Sequence, residues 1–149
     1  MKSALSAGVE ARLREEEKKN KLDFYKISLS EDDLADIEML EQLKKTFRNP
    51  TVISKLIWSQ YFQKPVSALC NKILGSTPVC GIYKITNLTT EQVYIGQSLN
   101  IADRWKQHCK CGLGIETPTT NKLYNSMQKD GVWNFSFELL EECPRELLN

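Results

Sequence analysis

Apolar residues change their spacing near residue 79. Before it they recur at helical intervals; after it they alternate as strands do. Ala4–Lys21 carries Leu5, Val9 and Leu13 four residues apart among Arg, Glu and Lys. So thin a stripe predicts either a solvated helix or the tail of a longer coiled coil. Ser28–Phe47 predicts a stronger helix. Ser30 suits an N-cap, and Glu31, Asp32 and Asp33 place negative charge at the positive end of the helix dipole. Leu34, Ile37, Met39, Leu40 and Leu43 form the expected apolar face, and Asn49-Pro50 ends the helix. Thr51–Leu74 predicts one or two further helices, first on Val52, Ile53, Leu56, Ile57, Tyr61 and Phe62, then on Val66, Leu69, Cys70, Ile73 and Leu74. Pro65 is expected to break or kink that run. Helices this one-sided require cover, from each other or from the segment that follows. Gly75-Ser76-Thr77-Pro78 is a boundary.

Val79–Thr86 and Gln92–Gln97 are rich in β-branched and aromatic residues and are joined by Asn87-Leu88-Thr89-Thr90-Glu91, which predicts a hairpin. Asn100–Cys111 reads as a helix capped by Asn100. Gly112–Thr120 is a loop, Asn121–Lys129 a second helix ended by Asp130-Gly131, and Val132–Glu141 a third strand. Cys143-Pro144 turns the chain, and Arg145–Asn149 looks like the opening of another helix. One turn is not stable alone, so the natural domain is expected to continue past Asn149. The fold class is α+β, a small three-stranded antiparallel sheet flanked by helices and preceded by an all-helical N-terminal region. The expected organisation is a charged helical or flexible tail over 1–27, a helical region over 28–75, a linker over 76–78 and a domain over 79–149 that is incomplete at its C-terminus.

Composition narrows the function classes. Among 149 residues, 41% are apolar, and 20 Lys and Arg face 19 Asp and Glu. Up to Pro78 the balance is 13 against 11, and from Val79 it is 7 against 8. Neither half is a polycation, so any nucleic-acid surface is a local patch. Cys70, Cys80, Cys109, Cys111 and Cys143 are odd in number, and no signal peptide precedes them, which points to reduced thiols in the cytoplasm. Cys109-x-Cys111 invites a zinc reading, but its spacing is tight and His108 is the single histidine. Buried thiols are the alternative. No apolar run approaches the ~20 residues of a membrane span.

The chemistry concentrates in Gly81–His108. If the hairpin loop centres on Thr89-Thr90, Tyr83 lies opposite Gly96 and Ile85 opposite Tyr94. Tyr83 and Tyr94 then share a face as diagonal neighbours, ~7–8 Å apart. Gly96 opens room for a backbone or ligand on that face. Arg104 and His108, at i and i+4, project from one side of the next helix, with Ile101 and Trp105 on a neighbouring packing stripe. Taken singly, the tyrosines read as core and the Arg–His pair as a solvated face. Together they suit a site that cuts phosphodiesters.

The order Gly81-Ile82-Tyr83, Tyr94-Ile95-Gly96, Arg104-Trp105-x-x-His108, helix, turn and strand resembles the GIY-YIG nuclease family, closest to its homing-endonuclease branch, over Val79–Asn149. The resemblance implies a DNA endonuclease acting by one-metal hydrolysis, usually with Mg2+. It implies that Tyr83 helps activate the attacking water, Tyr94 orders water and phosphate, and Arg104 holds the scissile phosphate. His108 is implied as phosphate ligand or proton relay, while Gly81 and Gly96 are structural. The family's metal ligand is a glutamate on the helix after the third strand. Glu141, Glu142 and Glu146 precede that position, so none is assigned: the ligand is expected beyond Asn149, and this chain is expected to be inactive or weak. Some homing enzymes carry another histidine where this chain has Glu116–Thr120. Lys84, Lys106, Lys110 and Lys122, with Thr117–Thr120, are candidate DNA contacts. Two other classes stand beside the nuclease: a non-catalytic DNA-binding or scaffold module, and a helical interaction region over Ser28–Leu74 that binds a protein partner or a second copy.

Overall fold

Ser30 starts the first helix as its side chain predicts. In the computed structural model, which describes residues 24–115, 122–144 and 146, its Oγ accepts from Asp33 N at 3.0 Å and α1 runs Glu31–Lys44. The Ala4–Lys21 stripe, Thr117–Thr120 and most of Arg145–Asn149 lie outside the described residues. The buried face of α1 is narrower than the sequence suggested. Ile37 is fully buried, whereas Met39 is 65% exposed and Leu43 44%. Met39 sits two residues from Ile37, about 200° around the helix, and so faces water.

The helix α2 covers Pro50–Ile57 and α3 covers Gln63–Leu74. Pro65 does not break the run. It falls in the first turn of α3, where a missing N–H costs little. The irregularity lies just upstream, at a π-helical stretch over Trp58–Phe62, where Gln63 N reaches back to Trp58 O.

The sheet consists of β1 (Gly81–Asn87), β2 (Val93–Ser98) and β3 (Phe135–Glu142), in the order β2-β1-β3 and antiparallel throughout. The expected register holds: Tyr83 pairs with Gly96 and Ile85 with Tyr94. The third strand starts three residues later than expected, because Val132–Asn134 form a 3-10 turn first. Between Ile82 and Tyr83 the β1–β3 register slips. At that slip a Cβ on Gly81 would strike the Glu141 carbonyl, so the first glycine of the triplet is there for close backbone approach. The chain before α1 lies along the outer edge of β3, with Lys26 bridged to Ser136 and Phe137 N bonded to Tyr25 O at 2.9 Å.

Two helices cover the Tyr83 face of the sheet. The first, α4 (Ile101–Gly112), is capped by Asn100, whose Oδ1 accepts from Asp103 N at 3.2 Å. The second is α5 (Lys122–Asp130). On its other side α4 meets α3, where the Cys70 thiol lies 3.9 Å from Ala102 O. The one-sided N-terminal helices thus find their cover, and a single apolar core joins Ile37, Ile57, Phe62, Val66 and Leu69 to Ile85, Trp105 and Phe137. On the opposite sheet face Val93 and Ile95 stay exposed. No described helix is long and apolar enough to cross a membrane.

Asn87 closes the hairpin and ties it to α5. It is fully buried, its Oδ1 accepts from Thr89 N and Thr90 N at 2.9 and 3.2 Å, and its Nδ2 donates to Asp130 Oδ2 at 2.8 Å. Asn87→Ala strands two turn N–H groups and a carboxylate at once. We expect urea unfolding to show a loss of about 2–3 kcal/mol; a loss below about 0.5 kcal/mol would show that the turn holds without it.

Candidate active site

A cleft of about 270 Å³ opens where β1, β2 and α4 meet, lined by Tyr83, Tyr94, Gly96, Arg104, His108 and Leu123 among others. A larger cavity of about 640 Å³, between α1, α2 and the end of α5, shares no residue with it. The larger one carries lysines and carboxylates of mixed sign and none of the tyrosine, arginine or histidine groups predicted as functional. The smaller one is therefore the candidate site.

Strand alternation turns Tyr83 inward, where it is 4% exposed. Its ring lies across Gly96, where a Cβ would sit 2.5 Å from Tyr83 Cζ and Oη. Glycine is thus the residue that lets the tyrosine reach over β2. Trp105 meets the ring edge-on, with centroids 6.0 Å apart. The Tyr83 hydroxyl ends 2.8 Å from His108 Nε2. Tyr94 shares this face, half-buried, and its hydroxyl lies 2.8 Å from Ser126 Oγ on α5.

His108 is not on a solvated face; it is 4% exposed. Its Nδ1 lies 2.8 Å from the hydroxyl of Tyr124, on α5. Both ring nitrogens are therefore engaged by tyrosines, and neither is free to meet a phosphate. Sequence reasoning missed Tyr124 and Ser126. The available signal was a tyrosine on the stripe Leu123, Tyr124, Met127, whose hydroxyl needs a partner once buried. Arg104, one turn before His108, stays exposed at the mouth, donating to Gln107 Oε1 at 3.0 Å.

Burial, with the Arg104 charge adding to it, pushes the His108 pKa down to about 4, so the imidazole is neutral at pH 7. Burial raises the Tyr83 pKa, while the Arg104 guanidinium beside its hydroxyl opposes that rise. Burial, helped by the Cys111 thiol, pushes Tyr124 up to about 12. The site at rest thus holds one permanent cation over a neutral hydrogen-bonded interior. That arrangement suits an anion.

The candidate lysines scatter. Lys84 points from β1 to the sheet face opposite Tyr83, paired with Ile95 and Glu138. Lys106 and Lys110 lie two residues from Arg104 and His108 and so on the other side of α4; Lys110 Nζ sits 5.1 Å above the Trp58 ring. Lys122 immediately precedes Leu123 of the cleft and is exposed. None of the five cysteines is in a disulfide, and Cys109 and Cys111 are buried. Burial holds the Cys109 thiol far above its usual range. Among the described residues no three His, Cys, Asp or Glu side chains gather as a metal site, and no carboxylate lines the cleft. A hard divalent cation requires oxygen ligands of that kind, so the described residues alone do not fit one.

Residues 79–147 match the family model of the GIY-YIG catalytic domain. The chain is 38% identical over 66 residues to Intron-associated endonuclease 1 of Enterobacteria phage T4, a match that covers 44% of this chain and 26% of that protein. It thus spans about a quarter of that relative's length. Among solved structures it matches a mutant of the catalytic domain of intron endonuclease I-TevI at 36% identity. That match covers 44% of this chain and 66% of the other, with a TM-score of 0.38.

A histidine that is neutral when folded makes stability depend on pH. Between pH 4 and 6.5 the unfolded chain binds a proton that the folded chain refuses, so this contribution is complete above pH 6.5 and is lost as pH falls toward 4. The loss approaches about 3 kcal/mol. Chemical denaturation at pH 7 and 4.5 should show a larger drop for the parent chain than for His108→Gln; equal drops would place the histidine's charge change elsewhere.

Proposed function

We propose that this chain, whose residues 79–147 are a GIY-YIG domain, is the nuclease part of a DNA endonuclease that hydrolyses phosphodiesters with one divalent ion, magnesium. The observation that carries this reading is the cleft itself: Arg104 at its mouth, over a hydrogen-bonded Tyr83–His108 pair whose tyrosine ring lies across Gly96. A guanidinium matches phosphate oxygens in a planar fork and stabilises the charge that develops as water attacks. Tyr94, anchored by Ser126, orders the water and phosphate at the rim. Tyr83 and His108 take up the proton that the attacking water releases. The P–O bond to the leaving sugar oxygen breaks with its electron pair, and that oxygen is protonated by solvent. The ion would supply Lewis-acid chemistry, and its carboxylate ligand lies outside the described residues. Five cysteines with no disulfide among them support the cytoplasm as the setting.

A second reading is a DNA-binding module without catalysis. The lack of a carboxylate in the described cleft favours it. It keeps the Arg104–phosphate contact and loses the cut.

The test is nicking of supercoiled plasmid by the full encoded protein with and without magnesium. On the nuclease reading, nicking requires the ion and falls about 10²–10³-fold in Arg104→Ala. Residues 1–149 alone nick weakly or not at all. Cutting that survives both Arg104→Ala and removal of the ion would overturn the reading. Salt-dependent binding with no cutting under any condition would move the second reading ahead.

A further inference from the structure

Behind the cleft a line of hydrogen-bonding groups runs inward from Arg104 through Tyr83, His108 and Tyr124 to Cys111. Its middle is defined by two contacts of 2.8 Å, Tyr83 Oη to His108 Nε2 and Tyr124 Oη to His108 Nδ1. A neutral imidazole has one N–H and one lone pair. One tyrosine therefore donates to the ring and the other accepts from it, and the ends of the line decide which.

At the outer end Arg104 lies against the Tyr83 hydroxyl. A guanidinium can only donate. It takes a lone pair of Tyr83, whose O–H is then directed to His108 Nε2. At the inner end the Tyr124 hydroxyl also meets the Cys111 thiol. A thiol gives or takes only a weak hydrogen bond, so this contact leaves Tyr124 a lone pair for His108 Nδ1–H. The outer end, where the guanidinium can only donate, sets the direction, and the inner end is compatible with it.

We propose that Tyr124 is a positioning residue that holds His108 in the Nδ1–H tautomer, so that Nε2 accepts from Tyr83. The consequence rests on the nuclease reading. With its own proton committed to Nε2, Tyr83 presents a lone pair to the cleft. It can accept a proton from water while its O–H proton passes to Nε2, so one proton enters the hydroxyl as one leaves. With the opposite tautomer Tyr83 would accept from His108 and present its O–H to the cleft, as an acid. Tyr124 never touches substrate; it sets which of these Tyr83 can be. The same line gives Cys111 a use that its spacing to Cys109 did not suggest.

His108 is the only histidine, so its imidazole gives one set of resonances in long-range nitrogen–proton NMR of uniformly labelled protein at pH 7. The expected result is a protonated Nδ1 and an unprotonated Nε2. In Tyr124→Phe the proton moves to Nε2 or divides between the nitrogens, while the amide spectrum stays folded. Nicking kcat then falls on the order of tenfold with KM unchanged, as when a partner that orients a histidine is removed. A parent protein with its proton on Nε2 overturns the proposal, and this holds even if the variant does not fold. So does a folded Tyr124→Phe that keeps the proton on Nδ1. The tautomer reads independently of cleavage. An Nδ1–H histidine in a protein that never nicks sinks the nuclease reading alone. Nicking by a protein with an Nε2–H histidine sinks the role of Tyr124 alone.

Discussion

A buried imidazole must find partners for both nitrogens, since an unpaired polar group away from water costs ~1–3 kcal/mol. His108 meets that requirement with two tyrosines from different elements, Tyr83 on β1 and Tyr124 on α5. Sheet, α4 and α5 are therefore pinned to one another through a single ring. Gly96 belongs to the same requirement, because any side chain there would push Tyr83 off the histidine. Neutrality follows from the same burial: away from water, and with Arg104 close by, a second proton is disfavoured. The residues that define the cleft are thus one hydrogen-bonded unit with an exposed cation at its edge.

The helices before residue 75 act on this unit from behind. Helix α4 carries Trp105 and Cys109 as well as His108, all buried. Its far side rests on α3 near Cys70, and Lys44 Nζ donates to Leu113 O just past its end at 3.1 Å. Packed between α3 and the sheet, α4 has little freedom to tilt, so the one-turn offset between Arg104 and His108 is held as a fixed geometry. This matters for phosphate chemistry, where misplacement of a charge by an ångström costs rate.

Much of the architecture was legible because local signals agreed. A five-residue loop between alternating segments set the hairpin register, and with it the meeting of Tyr83 and Gly96. The caps at Ser30 and Asn100 were readable because their side chains bond within three residues of themselves. What failed were readings that depend on distant partners. The i, i+4 spacing of Arg104 and His108 suggested one shared environment, yet Arg104 is exposed and His108 buried. Tyr124 was overlooked because the group that explains it is sixteen residues away. Met39 and Leu43 were placed on the apolar face of the first helix, although both face water on α1. The kink assigned to Pro65 appeared upstream, because a proline in a first turn needs no accommodation.

On the proposed nuclease reading, nucleic acid lies over the Arg104 cleft and not on the other sheet face, where Lys84 and Val93 are displayed. Titrating labelled protein with a short DNA duplex at low salt, without metal, and following side-chain signals tests it directly. That reading predicts saturating shifts of the Arg104 Nε–H and Tyr94 resonances, reversed by added salt, with Lys84 and Val93 unmoved. Shifts confined to Lys84 and Val93 would contradict it.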